Sequence, residues 1–210
     1  MNTLAKQIAE QLLQIKAIKL EPTNHFTWAS GWFSPIYCDN RKTLSYPAVR
    51  TFIRDGFLQV IAHRAFDFDV IAGVATGAIA QGALVAQSLG KPYVYVRPKP
   101  KEHGLGNQIE GFVEKGQRVL VVEDLISTGG SSLGAVKALR DAGCEVVGML
   151  AIFTYGFETA TEKFKDANVK LTTLSNYQAL LEIATETGYV SSGDLKLLEE
   201  WRNSPSTWKK

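Results

Sequence analysis

Cysteine is scarce in this chain: Cys38 and Cys144 are the two found in 210 residues. That excludes a disulfide framework and fits a reducing compartment, so the cytoplasm is the expected location. The three histidines and the cysteines show no metal-ligand spacing, which excludes a zinc centre of the usual kind. Excess charge is small, +2 in all and without a basic block, so nothing electrostatic argues for nucleic acid. No apolar run approaches the roughly 20 residues of a membrane span. Lys6, Glu10, Lys16 and Lys19 break up the first twenty residues, so neither a membrane segment nor a signal peptide is expected. Internal repeats and low-complexity stretches are absent. So is the GxxxxGK[ST] string of a nucleoside-triphosphate P-loop.

What remains is the composition of a soluble globular protein, with 45% hydrophobic and 21% charged residues. Its length suits one α/β domain over residues 1–210. The most informative stretch is Arg118 to Ser132. Arg118-Val119-Leu120-Val121-Val122 is the β-branched run of a strand buried on both faces. Glu123 and Asp124 follow, then Leu125, Ile126 and the hydroxyl-rich Ser127-Thr128-Gly129-Gly130-Ser131-Ser132. After these, Leu133, Val136, Ala138 and Leu139 fit a helix stopped by Gly143. Strand, acidic pair, hydroxyl loop and helix form the pattern. Gly129 and Gly130 let several backbone N–H groups converge, and the helix start adds more, so a phosphate is the natural ligand. Carboxylates at the end of such a strand accept hydrogen bonds from sugar hydroxyls or hold Mg²⁺.

In chain order, Leu4, Ile8, Leu12 and Ile15 recur at helical spacing and predict an amphipathic helix over about 2–16, packed as a flap or hood. Ile18 and Leu20 begin a short strand. Phe26 to Arg41 is aromatic and broken by Gly31 and Pro35; read from residue types alone, a core hairpin and a lid over a flat ring both fit. Pro47 opens a helix with Val49, Phe52, Ile53, Phe57, Val60 and Ile61 inward, and His63 near its end is a surface residue. Residues 70–74 read as a second buried strand, Ala75-Thr76-Gly77 as a tight turn, and the alanine-rich stretch to Leu89 as a helix stopped by Gly90. Pro92 to Arg97 is the next strand, completing a βαβ unit, and 118–153 forms another. Arg97 to Gln108 holds two prolines and two glycines and so forms neither helix nor central strand. It carries Arg97, Lys99, Lys101 and His103, all donors to anionic oxygen. Met149 to Phe153 predicts a strand, 158–165 a helix, and 169–174 an edge strand. Asn176 and Asp194 cap two closing helices. The fold class is therefore α/β, a mostly parallel sheet flanked by helices, with a small amino-terminal hood from about residues 1–45.

Three strings carry a resemblance. Glu123 to Ser131 resembles the phosphoribosyl-pyrophosphate signature of the type I phosphoribosyltransferases. Phe26-Thr27-x-x-Ser30-Gly31 with Ser34-Pro35-Ile36-Tyr37-x-Asp39-x-Arg41 resembles the hood of orotate phosphoribosyltransferases, and Arg97 to Gln108 their mobile catalytic loop. Ala29 and Pro98 stand where many members have lysine. The resemblance implies transfer of a 5-phosphoribosyl group from phosphoribosyl pyrophosphate to orotate with Mg²⁺, giving orotidine 5′-phosphate and pyrophosphate in pyrimidine synthesis. It implies Asp124, Lys101, His103 and Arg97 as catalytic residues, and Glu123, Asp124 and Leu125 to Ser131 on the phosphoribosyl group. Ala75 and Thr76 fall on the pyrophosphate turn, and Ser127, Phe33 and Tyr155 on orotate. Mg²⁺ is held mainly through substrate, with Glu123 and Asp124 as the candidate protein ligands. A homodimer with shared sites is implied, without nucleic acid or membrane partners. The alternatives are a phosphoribosyltransferase for another base and a non-catalytic regulator of the same fold.

Overall fold

The computed structural model describes residues 3–28, 30–99 and 107–209. Ala29, Lys101 and His103, singled out in the sequence, lie outside the described residues. Helix α1 (Leu4–Gln14) is capped by Thr3, whose side chain accepts from the Lys6 N–H, and buries Ile8, Ala9, Leu12 and Leu13. Four short strands follow: β1 (Ile18–Leu20), β2 (Phe26–Thr27), β3 (Phe33–Ser34) and β4 (Ile36–Cys38). β1 pairs antiparallel with β4, and β2 with β3 across a turn in which Gly31 has φ of 79°. A 3₁₀ helix, Asn40–Ser45, leads into α2 (Pro47–Arg64), which starts on Pro47 as proline's fixed φ favours.

The rest alternates strand and helix: β5 (Val70–Val74), α3 (Ile79–Leu89), β6 (Tyr93–Val96), β7 (Ile109–Glu110), β8 (Arg118–Ile126), α4 (Gly130–Asp141), β9 (Glu145–Thr154), α5 (Glu158–Asp166), β10 (Leu171–Asn176), α6 (Tyr177–Glu186) and α7 (Leu195–Asn203). Strands β5 to β10 form one sheet in the order β10-β9-β8-β5-β6-β7, parallel except for β7. Alternate residues of each strand serve opposite faces. Leu120 and Val122 join the core under α1, α2, α3, α6 and α7, while Val119 and Val121 join the core under α4 and α5. That double burial explains the unbroken apolar run at 119–122. Helix α1 packs on α6 and β10, so it belongs to the body of the domain, and the hood consists of β1–β4 with the 3₁₀ helix.

Three further features depart from the sequence reading. Strand β8 does not stop before the acidic pair. It continues to Ile126 because β9 runs alongside, pairing Glu123 with Ala151, Leu125 with Phe153 and Ile126 with Thr154. A two-residue antiparallel strand, β7, returns against β6 after the 97–108 segment. Asn176 does cap α6, accepting from the Ala179 N–H at 2.9 Å, but the Asp194 carboxylate accepts from the Ser191 N–H and hydroxyl instead of the first turn of α7.

Candidate active site

The order of the sheet reverses between β5 and β8: the chain moves outward from β5 to β6 and β7, then returns to β8 on the other side. Ligands of open α/β sheets bind at such a switch point, beyond the carboxyl ends of the strands. Two turns meet there. Ala75-Thr76-Gly77 follows β5, with a cis peptide between Ala75 and Thr76. Ser127-Thr128-Gly129 follows β8, and Gly129, at φ 76°, sits at the N-cap of α4. A β-carbon on Gly77 would collide with the Asp124 carboxyl group, so glycine there lets the acidic residue lie against the turn. Between the turns is a hollow of about 450 Å³. The free N–H groups and dipole of the α4 N-terminus suit a phosphate on that wall.

Two carboxylates form the floor. Glu123 is only 4% exposed. Its Oε2 accepts from the Ser132 hydroxyl at 2.8 Å and its Oε1 from the Asp124 N–H at 2.9 Å. Burial, and then the neighbouring Asp124 charge, push the Glu123 carboxyl well above the ordinary range. Burial also raises Asp124, against hydrogen bonding with Glu123 and from backbone N–H groups and, least, the charge of Arg41. Without a ligand the pair therefore holds protons more readily than exposed carboxylates do.

The hood closes the near side. The ladder of β5 with β8 ends at Gly73 and Val122. Beyond it, the buried Asn40 donates from Nδ2 to the Asp124 carbonyl at 2.8 Å. The Cys38 thiol donates to Asn40 Oδ1 at 3.4 Å, and burial raises that thiol, so it stays protonated. Asp39 and Arg41 line the hollow as a bidentate pair, Nε to Oδ1 at 2.6 Å and Nη2 to Oδ2 at 3.0 Å. Arg41 holds the Asp39 carboxyl below its usual range.

A second hollow of about 260 Å³ adjoins the first and shares Cys38, Leu125 and Ser127 with it. Thr27, Trp28, Tyr37 and Tyr155 complete its walls. The Trp28 and Tyr155 rings lie 5.2 Å apart, and Trp28 Nε1 donates to the Ile36 carbonyl at 3.0 Å. Trp201 backs both rings edge-on, at 5.6 Å and 5.7 Å. Flat aromatic walls with hydroxyls at the rim suit a planar heterocycle.

Of the residues singled out in the sequence, Ala75, Thr76, Glu123, Asp124, Leu125, Ser127, Thr128, Gly129, Gly130 and Ser131 come together around the first hollow. Ser127 and Tyr155 meet in the second. Ile126 is fully buried behind the loop. Arg97 lines neither hollow; its Nη1 lies 3.6 Å from Glu110. Phe33 is likewise outside both, its ring 4.7 Å from that of His25 and its carbonyl accepting from Trp201 Nε1. Sequence reasoning gave no role to Asn40 or Trp201, left a lid over a flat ring open for the stretch that holds Trp28, and placed Asp39 and Arg41 in the hood string without a role of their own. The local signals for the pair were the hood string and the opposite charges of Asp39 and Arg41 two residues apart. Among the described residues, no group of three His, Cys, Asp or Glu side chains is placed to hold a metal by itself.

Comparison with known proteins agrees with this geometry. Residues 45–180 match the family described as the phosphoribosyl transferase domain. The orotate phosphoribosyltransferase of Phocaeicola vulgatus is 58% identical over 209 residues, covering 100% of this chain and 99% of that protein. The crystal structure of orotate phosphoribosyltransferase from Aeropyrum pernix superposes with a TM-score of 0.75 at 31% identity, over 88% of this chain and 99% of that one. The Mycobacterium tuberculosis orotate phosphoribosyltransferase in complex with 5-phospho-alpha-D-ribosyl 1-diphosphate superposes with a TM-score of 0.65 at 25% identity, over 84% and 98%. With matches of this length and an acidic pair beside a phosphate-cradling loop at the switch point, the chain belongs to the orotate phosphoribosyltransferases.

Proposed function

We propose that the chain transfers the 5-phosphoribosyl group of phosphoribosyl pyrophosphate to orotate, releasing pyrophosphate and forming orotidine 5′-phosphate for pyrimidine nucleotide synthesis. The observation that carries this reading is the junction of the two hollows: an acidic floor between two phosphate-suited turns opens onto an aromatic slot, with Ser127 common to both.

Breaking the C1′–oxygen bond builds positive charge on the ribose ring and negative charge on the leaving oxygens. Backbone N–H groups and hydroxyls of Ser127 to Ser131 hold the 5′-phosphate. Glu123 and Asp124 accept from the ribose hydroxyls and stabilise the cationic ring, a preorganised electrostatic effect in a site shielded from water. Ala75 and Thr76 carry the diphosphate on their backbone. Ser127 and Tyr155 border the orotate ring. Arg97, Lys101 and His103 neutralise the leaving group, contributed across a homodimer from the neighbouring chain. The donor set fits Mg²⁺ as a substrate-borne ion: two adjacent carboxylates without a third partner leave most ligands to substrate oxygens and water. Bound in that way, with Glu123 and Asp124 as the residues that would hold it on the protein side, Mg²⁺ would supply charge neutralisation at the diphosphate.

We place this activity in the cytoplasm; no helix among the described residues is long and apolar enough to cross a membrane. The test is a base panel. The protein is incubated with phosphoribosyl pyrophosphate, Mg²⁺ and orotate, uracil, adenine or hypoxanthine, and nucleotide formation is followed by chromatography. Consumption of orotate alone is expected. Turnover of another base with orotate untouched would overturn the assignment.

A further inference from the structure

We propose that Arg41 binds a phosphate oxygen of phosphoribosyl pyrophosphate, so that each chain supplies a cation to its own site. The inference rests on the function proposed above. The substrate is a polyanion, yet three carboxylates, Asp39, Glu123 and Asp124, line its hollow. Among the described residues lining that hollow, Arg41 is the one cation. Arg97 is turned to Glu110 outside it.

The guanidinium is held ready. Asp39 takes Nε and Nη2, and its Oδ1 also accepts from the Arg41 N–H at 3.2 Å, which fixes the side chain against its own backbone turn. Among the described residues Nη1 has no hydrogen-bond partner. A guanidinium gripped along one edge by a carboxylate keeps its other edge for a second oxyanion, the fork geometry in which arginine binds two oxygens of a phosphate. The segment is anchored as well: Asn40, next in the chain, is fastened to the Asp124 carbonyl, and the Thr43 hydroxyl donates to the Asn40 carbonyl at 2.6 Å. Little ordering is therefore left for binding to impose. The pair also sits where a cation is useful, since Arg41 and Asp124 line the same hollow.

The test uses the full chain with Arg41→Gln and Arg41→Lys. The Arg41 side chain is 59% exposed, so neither change should lower the melting temperature. Affinity for phosphoribosyl pyrophosphate is measured calorimetrically without a base, and KM for each substrate is measured separately. Loss of a charged hydrogen bond predicts an affinity for phosphoribosyl pyrophosphate weaker by about ten- to hundredfold in Arg41→Gln. Arg41→Lys should recover part of it, and KM for orotate should stay near wild type. Inhibition by pyrophosphate and by ribose 5-phosphate shows which end Arg41 meets: weaker inhibition by one of them supports the proposal and names the phosphate. Unchanged affinity in Arg41→Gln overturns it. If wild type ignores orotate but Arg41→Gln still weakens phosphoribosyl pyrophosphate binding, the base assignment fails and this inference stands.

Discussion

Removing Asn40 tests how the hood controls the chemistry. Asn40 is 2% exposed, and its Nδ2 is the donor to the Asp124 carbonyl at a point where β8 has outrun its pairing with β5. Asn40→Ala leaves that carbonyl, and the Cys38 thiol, without their partner. A buried acceptor left unsatisfied costs about 1–3 kcal/mol. For a chain of this size about 1 kcal/mol moves Tm by roughly 2–4 °C, so a fall of about 2–12 °C is expected. The larger effect should be on kcat. Freed from its tether, the Asp124 backbone should shift, and if Asp124 acts as proposed, a misplacement of about 1 Å costs up to about 10²-fold. Asn40→Asp keeps the side-chain volume and the acceptor for Cys38 while replacing the donor with an oxygen, so it separates the lost hydrogen bond from a lost filler. The assay follows orotate consumption at saturating substrates, in both variants and in the Asp124→Asn background. Asp124→Asn alone should lower kcat by about 10²–10³. If Asn40 acts through Asp124, its removal adds little further loss in that background. The reasoning fails if Asn40→Ala turns over like wild type, or if it costs the same factor with and without Asp124.

Three further outcomes are expected. Burial raises the Glu123 carboxyl above its unfolded value, so the stability from its bound proton is full below the ordinary carboxylate range and is lost as pH rises through the raised value. Glu123→Gln, scanned calorimetrically without ligands from about pH 4 to 8, should therefore gain on wild type as pH rises; a gap independent of pH contradicts this. Trp201 is fully buried against Trp28, Tyr155, Phe157 and Tyr177, so Trp201→Ala should cost about 3–5 kcal/mol and, where the protein still folds, raise KM for orotate more than for phosphoribosyl pyrophosphate. If sites are shared across a two-fold dimer, mixing Lys101→Ala with Asp124→Asn under exchange should restore about one quarter of wild-type activity, because about half the dimers are mixed and each regains one of two sites. No recovery with exchange verified by a mass tag rules out shared sites.

Much of this fold was legible because its signals are local. Residues 70–74 carry a run that only a doubly covered strand buries, and Gly90 and Gly143 stop helices by taking the positive φ that other residues avoid. The acidic pair and its glycine loop were legible for the same reason, being nine consecutive residues. What stayed hidden is non-local. Asn40 lies 84 residues from Asp124, and Trp201 lies 168 from Phe33. The hood aromatics show the difficulty most directly. Side chains alternate along a strand, so a one-residue change of register exchanges the faces. With β2 and β3 only two residues each, the sequence did not fix which aromatics look inward. Trp28 lines the slot, while Phe33 packs on His25.

The site exists because one strand is longer than its neighbour. Residues 123–126 of β8 continue against β9 after the ladder with β5 has ended, so one flank is covered by a neighbouring strand and the other is open. An open flank in the middle of a sheet exposes backbone groups that must be satisfied. Asn40 satisfies one, and the turn at Gly77 leaves room for the Asp124 carboxyl beside it. Burial of two adjacent carboxyls in such a place disfavours their charged forms and raises both. In the function proposed above, a hydroxyl-rich ring that gains positive charge as its bond breaks favours the charged carboxylates, and does so most at the transition state. An apolar pair at these two positions would give a more stable sheet but would take away the groups proposed to favour bond cleavage.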